Sequence, residues 1–206
     1  MNMKSSRSLK PRKSPRQKRS EQMVADMLEA AAQVLERHGL EGFTTNAVAQ
    51  RAGVGIGSLY QYFPSKAALV AALMRREEDI FHAAAAKGRD MAKGAEGLSA
   101  VILACVRQQL ERPELARLLD VQQALPELKA EVSGPSLLLD IIRVILDRPD
   151  LPRQPCQDVA ARDVLAIVRG LTDTAGEYGE RSVSDLYRRA TAAVFGYLEA
   201  MATLND

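Results

Sequence analysis

The chain has 206 residues, 47% hydrophobic and 26% charged, with a net charge of +2. That composition fits a globular protein with one large or two small domains. No apolar run approaches the roughly 18 residues of a membrane span. The basic N-terminus lacks the apolar stretch of a secretory signal, and two cysteines, Cys105 and Cys156, form no disulfide framework, so a cytoplasmic, reducing setting is expected.

The charge is unevenly spread. Residues 1–20 carry eight Lys/Arg and no acid, leaving twenty basic and twenty-six acidic residues in the rest. This stretch is rich in Ser, Pro and Lys/Arg and cannot bury apolar surface, so it is expected to be a disordered arm. A basic arm on an acidic body suits a polyanion partner. Arg12, Lys13, Arg16, Lys18 and Arg19 are its candidate contacts.

From Met23 the pattern turns helical. Val24, Leu28, Ala31 and Leu35 recur on one face, Ser20 can cap the helix, and His38-Gly39 ends it. Thr44 and Thr45 then offer an N-cap for a short helix to about Ala52, broken by Gly53. A third helix is expected over about 55–63, stopped by Pro64. Ser65 caps a long fourth helix to about Lys87, with Leu69, Leu73, Ile80 and Ala84 as its stripe.

Leu98, Val101, Ile102, Cys105, Gln109 and Leu110 mark a fifth helix, closed by Pro113. Leu115, Leu118, Leu119 and Gln122 mark a sixth. The segment 137–146 is apolar nearly all round and should lie in the interior. After a Pro-rich loop at 148–156, two last helices are expected over about 158–178 and 184–203. There is no β pattern and no internal repeat. The expected class is all-α, with a head at 21–67 and a larger domain at 68–206.

Two short helices joined through Gly53-Val54 have the spacing of a helix-turn-helix. Gly53 can supply the positive φ of the corner, and Val54 should pin it. On a helical wheel Leu59 and Phe63 share one face and should fill a small core with Val24, Leu28 and Val48. Gly57 and Gln61 fall opposite, flanked by Ser58 and Tyr60. A helix that reads DNA enters the major groove by its N-terminal residues. Glycines there allow close approach, and tyrosine hydroxyls can donate to phosphate.

The stretch LEAAAQVLERHGLEGFTTNAVAQRAGVGIGSLYQYFPSKAAL (28–69) resembles the tetracycline-repressor (TetR) family of bacterial transcriptional regulators. The resemblance rests on Gly39-Leu40, Thr44-Thr45, Ala52-Gly53-Val54, the run Gly57-Ser58-Leu59-Tyr60-Gln61-Tyr62-Phe63, and Ser65-Lys66. It implies a ligand-responsive regulator, usually a repressor, that binds a palindromic duplex operator as a homodimer and is released by a small molecule. It also implies that Thr45 contacts phosphate, that Gly55, Ile56, Ser58 and Gln61 face bases or nearby backbone, and that Tyr60, Tyr62 and Lys66 grip phosphates. Gly55 stands where the family often has Ser, a change worth a few tenths of a kcal/mol as a cap. No arginine on the outward face can take guanine bidentately, so direct readout should be modest and helped by phosphate contacts and DNA shape.

The larger domain should bind the ligand and dimerise. Val164, Leu165, Val168, Leu171 and Ala175 form one apolar face of the last two helices, and Leu186, Ala190, Val194, Tyr197, Leu198 and Met201 the other. They either close the chain's own core or, as the resemblance implies, build a four-helix dimer interface. Arg107, Gln122, Asp173 and Tyr178 are candidate pocket residues, with Gln108 and Asp140 also polar among apolar neighbours. Only two histidines occur, His38 and His82, and there is no metal cluster, nucleophile motif or phosphate loop. No cofactor, metal or catalysis is expected. The rival reading is an architectural or non-specific DNA-binding protein.

Overall fold

The computed structural model describes residues 18–113, 115–116 and 136–203. These contain eight helices and no strand: α1 (Lys18–Gly42), α2 (Thr45–Arg51), α3 (Ile56–Tyr62), α4 (Lys66–Arg89), α5 (Gly94–Leu110), α6 (Ser136–Leu146), α7 (Gln157–Glu177) and α8 (Val183–Thr203). The all-α expectation holds. The expected sixth helix lies mostly outside the described residues; Leu115, within them, is buried.

The chain divides into two compact units, with the break between Glu77 and Glu78 inside α4. In the first unit, α1 begins at Lys18, so Lys18 and Arg19, expected in the disordered arm, form the first turn of a helix. Ser20 lies inside that turn rather than capping it. Arg12, Lys13 and Arg16 lie outside the described residues. Gly39 takes a positive φ of 59° and kinks the end of α1, as its place after the last apolar position suggested.

Thr44 caps α2, its hydroxyl accepting from the N–H of Ala47 at 3.1 Å. Ser65 caps α4 in the same way through Ala68, also at 3.1 Å. Between α2 and α3, Gly53 has φ +67°. There the N–H of Val54 returns to the Ala49 carbonyl at 3.0 Å, a left-handed C-terminal turn of the kind glycine permits. Leu28, Val48, Leu59 and Phe63 are buried as expected, whereas Val24 is only half-buried.

Two further core residues, Met27 and Phe43, are fully buried. Phe43 precedes the Thr44 cap, and Val48 stands at the fourth helical position. That is the hydrophobic-staple spacing, a signal that periodicity within helices misses.

In the second unit α5, α6, α7 and α8 close a core with the end of α4. Its centre includes Leu98, Ile102, Ile142, Ile145, Val164, Leu186 and Val194, all at most 1% exposed. Two expectations are corrected. Ile80 is 58% exposed; Ala85 and Gly88 supply the buried positions of the second half of α4, and Phe81 is half-buried. The stripe through Leu69 and Leu73 serves the first unit, and a helix divided between two units need not bury one continuous stripe.

The second correction concerns α6, which is amphipathic rather than interior. Leu138, Ile141, Ile142 and Ile145 are buried, while Leu137 and Val144 are 42% and 47% exposed.

On α7 and α8 the first of the two alternatives holds for eight of the eleven apolar residues, while Leu171, Tyr197 and Met201 are half-buried. Val164, Leu165, Val168, Ala175, Leu186, Ala190, Val194 and Leu198 are buried inside the single chain. They close its own core and are not free to meet a second subunit. Burying such side chains is worth about 1.5–3 kcal/mol each for the larger ones, which a lone two-helix face left in water would forfeit.

Two polar ties fix the loop between α6 and α7. The Asp150 carboxylate accepts from the N–H groups of Gly94 at 2.8 Å and Ala95 at 3.0 Å, capping α5. The Arg148 guanidinium donates to the Arg89 carbonyl at the end of α4, 3.1 Å away. One short loop therefore satisfies backbone groups at two helix ends.

Candidate nucleic-acid interface

The candidate site lies on the first unit, on α3 and the start of α2. Burial of Leu59 and Phe63 fixes the rotation of α3. Gly55, Ile56, Gly57, Tyr60 and Gln61 are then exposed, and Ser58 and Tyr62 are half-buried at the margins. Gly55 is the N-cap, in extended conformation and without a side-chain cap. Among the described residues nothing lies within 4 Å of the position a Cβ would take at Gly55 or Gly57.

Thr45 opens α2, and its Oγ1 lies 3.0 Å from the Tyr60 hydroxyl, a hydrogen bond in which either oxygen can donate. It joins two residues picked separately from the sequence. Asn46, Gln50 and Arg51 are also exposed on α2. They had not been singled out, because on a seven-residue helix without a clear stripe the outward face becomes legible only once Val48 and Ala49 are known to point inward.

Lys66 is exposed, but its ammonium is partly engaged. Nζ donates to the Leu40 carbonyl at 3.3 Å and sits 5.4 Å from the centre of the Phe43 ring. It ties the start of α4 to the chain after the Gly39 kink. An ammonium has three donors, so this tie leaves capacity for a phosphate.

Of the candidate pocket residues of the larger domain, Arg107, Asp173 and Tyr178 are exposed. Arg107 forms an ion pair with Glu111 at 3.3 Å on the surface. Tyr178 is 81% exposed. Asp173 is exposed as well, and partial desolvation raises its carboxyl above the usual range. Gln122 lies outside the described residues. Gln108 and Asp140 are exposed, Asp140 in an ion pair with Arg143. Cys105 is half-buried against the core side of α5, and desolvation pushes its thiol up to about 12.

Among the described residues no group of three or more His, Cys, Asp or Glu could hold a metal ion. No described helix is long and apolar enough to cross a membrane.

A capped pair of short helices, a glycine corner and a buried-aromatic anchor define a helix-turn-helix head on an all-helical chain. Residues 27–73 match the family model of bacterial regulatory proteins of the tetR family. The HTH-type transcriptional repressor KstR of Mycolicibacterium smegmatis is 41% identical over 51 residues, 25% of this chain and 25% of the relative. KstR of Rhodococcus jostii is equally identical over 51 residues, 25% of this chain and 24% of its own. The match thus spans only about a quarter of these curated relatives.

Solved structures extend the likeness of fold across most of the chain. A protein of Mesorhizobium loti assigned to the TetR family superposes with TM-score 0.71 at 20% identity, covering 89% of this chain and 98% of its own. The transcriptional regulator FadR of Bacillus subtilis, solved with stearoyl-CoA, gives TM-score 0.68 at 18% identity over 83% of this chain and 97% of that one.

Proposed function

We propose that this chain is a DNA-binding transcriptional regulator of the cytoplasm, acting as a repressor that occupies a palindromic operator as a homodimer. The observation that carries the reading is the rotation of α3. Leu59 and Phe63 are anchored in the core while Gly55, Ile56, Gly57, Tyr60 and Gln61 share one open surface. Such a surface can enter a major groove by its small N-terminal end. Ile56 would meet a thymine methyl and Gln61 a base edge, with Ser58 beside them. Thr45, Tyr60, Tyr62 and Lys66 would hold phosphates.

The homodimer would form through the outward faces of α7 and α8. Ala166, Gly170, Ala192, Ala193, Gly196 and Ala200 are exposed there. Nothing lies within 4 Å of a Cβ placed at Gly170 or Gly196. A mid-helix glycine costs about 1 kcal/mol relative to alanine, a cost that the packing of the single chain does not require at these two sites. Release by a small molecule bound in the larger domain completes the proposal, consistent with a fold that in B. subtilis FadR accompanies stearoyl-CoA.

The experiment is selection of duplexes from a random-sequence pool by the full chain, followed by footprinting. The expected outcome is an inverted repeat held about 10³-fold or more above bulk DNA. Equal affinity for random duplex favours an architectural protein, and absence of duplex binding overturns the reading.

A further inference from the structure

We propose that Thr45 and Tyr60 form one phosphate contact rather than two, with Thr45 acting as a positioning residue for the Tyr60 hydroxyl. The inference rests on the reading of the head as a duplex-binding surface and refines it.

The two hydroxyls come from different helices, fifteen residues apart in sequence, and lie 3.0 Å from each other. Tyr60 is 41% exposed, so its ring is not held by packing on all sides. A tyrosine hydroxyl on an open helix face would otherwise sweep an arc about its side-chain torsions. The bond to Thr45 selects one point on that arc. Threonine suits the task because its β-branch restricts the first side-chain torsion. The neighbouring Thr44 cannot substitute, since its hydroxyl already caps α2 through the Ala47 N–H.

The proton count decides the stoichiometry. Each hydroxyl carries one donor proton. Whichever oxygen donates within the pair, one proton is consumed between them and one remains to point outward. The pair therefore offers a single O–H to an incoming phosphate oxygen. If Thr45 donates to Tyr60, the remaining phenolic O–H is also polarised toward its acceptor, because hydrogen bonds in series strengthen one another. Removing either partner abolishes the same interaction: without Tyr60 Oη the reach disappears, and without Thr45 Oγ1 the aim does.

Operator binding by the full chain tests this, using the duplex that the wild-type protein selects. Thr45→Val keeps the shape of the side chain and removes the hydroxyl, and Tyr60→Phe removes only its oxygen. Each should weaken binding about fivefold per half-site, the scale of one net hydrogen bond. The double variant should bind no more weakly than either single one, and Thr45→Ser, which keeps the hydroxyl but not the β-branch, should recover most of the loss seen in Thr45→Val. Unchanged melting temperatures keep loss of fold out of the comparison; if Thr45→Val melts early, restoration by Thr45→Ser in the same assay decides the question. Selective wild-type binding with a double variant that loses the product of the two single losses overturns the coupling alone. A wild-type chain that selects no duplex overturns the functional reading, and the coupling with it.

Discussion

Gly88 of α4 and Gly97 of α5 meet backbone to backbone. A Cβ at Gly88 would lie 2.5 Å from the Gly97 carbonyl oxygen, and one at Gly97 would lie 2.4 Å from that of Gly88. The obstructing atoms belong to the main chain and cannot swing aside. Gly88→Ala or Gly97→Ala should therefore force the helices apart and cost about 1–3 kcal/mol or more, the scale of an overpacked core. Urea denaturation with an unchanged slope and a lowered midpoint is the expected result. A neutral substitution would show that the helices can part freely.

The same substitution should behave oppositely on α8. Gly196→Ala meets open space and improves helix propensity by about 1 kcal/mol, so the chain should not lose stability. A longer polar side chain, as in Gly196→Gln or Gly170→Gln, is harmless to the single chain but would obstruct a close approach between α7–α8 pairs. Sedimentation should show the wild type as a dimer at micromolar concentration and these variants shifted toward monomer. Equal sedimentation of all three would place any dimer interface elsewhere.

Asp150 supplies a pH-dependent term. Hydrogen bonds from the Ala95 and Gly94 N–H groups hold its carboxyl below the usual 3.8. Because the folded value is depressed, the contribution is present above 3.8 and is lost as pH falls through the lower folded value. Melting temperatures measured downward from pH 5 should fall in this window for the wild type. Asp150→Asn, which no longer ionises, should start lower and show a shallower acid limb. An unaltered acid limb would assign the acid sensitivity to other carboxylates.

The proposed duplex binding carries a prediction about salt. Within residues 21–66 the bases are Arg37, Arg51 and Lys66, against the acids Glu21, Asp26, Glu29, Glu36 and Glu41. Residues 1–17 hold Lys4, Arg7, Lys10, Arg12, Lys13 and Arg16. If this arm follows the duplex backbone, deleting it should weaken binding and flatten the salt dependence by about 0.9 in slope for each phosphate that the arm no longer neutralises. An unchanged slope after deletion would remove the arm from the interface.

Much of the head was legible because its signals are local. Thr44 and Ser65 cap their helices within three residues, Gly53 turns the corner through its own φ, and Leu59 and Phe63 share a face one helical turn apart. Each feature depends on neighbours within a turn or two, so residue type and spacing suffice to place it. Phe43 shows the limit: it falls outside every helical stripe, and only the cap beside it hints at its burial.

The sequence by itself determined that the chain is helical, where most of its helices begin and end, and which side of α3 faces outward. The tertiary structure decided what each apolar face meets. Periodicity makes a face apolar without naming its partner, which is why Ile80 and Val144 stay exposed while Leu186 and Val194 vanish into the chain's own core. It also decided the pairings across long sequence distances, Asp150 with the start of α5 and Thr45 with Tyr60. A hydrogen bond is set by the meeting of two oriented atoms within a few tenths of an ångström, and the path of the chain between them carries no trace of it.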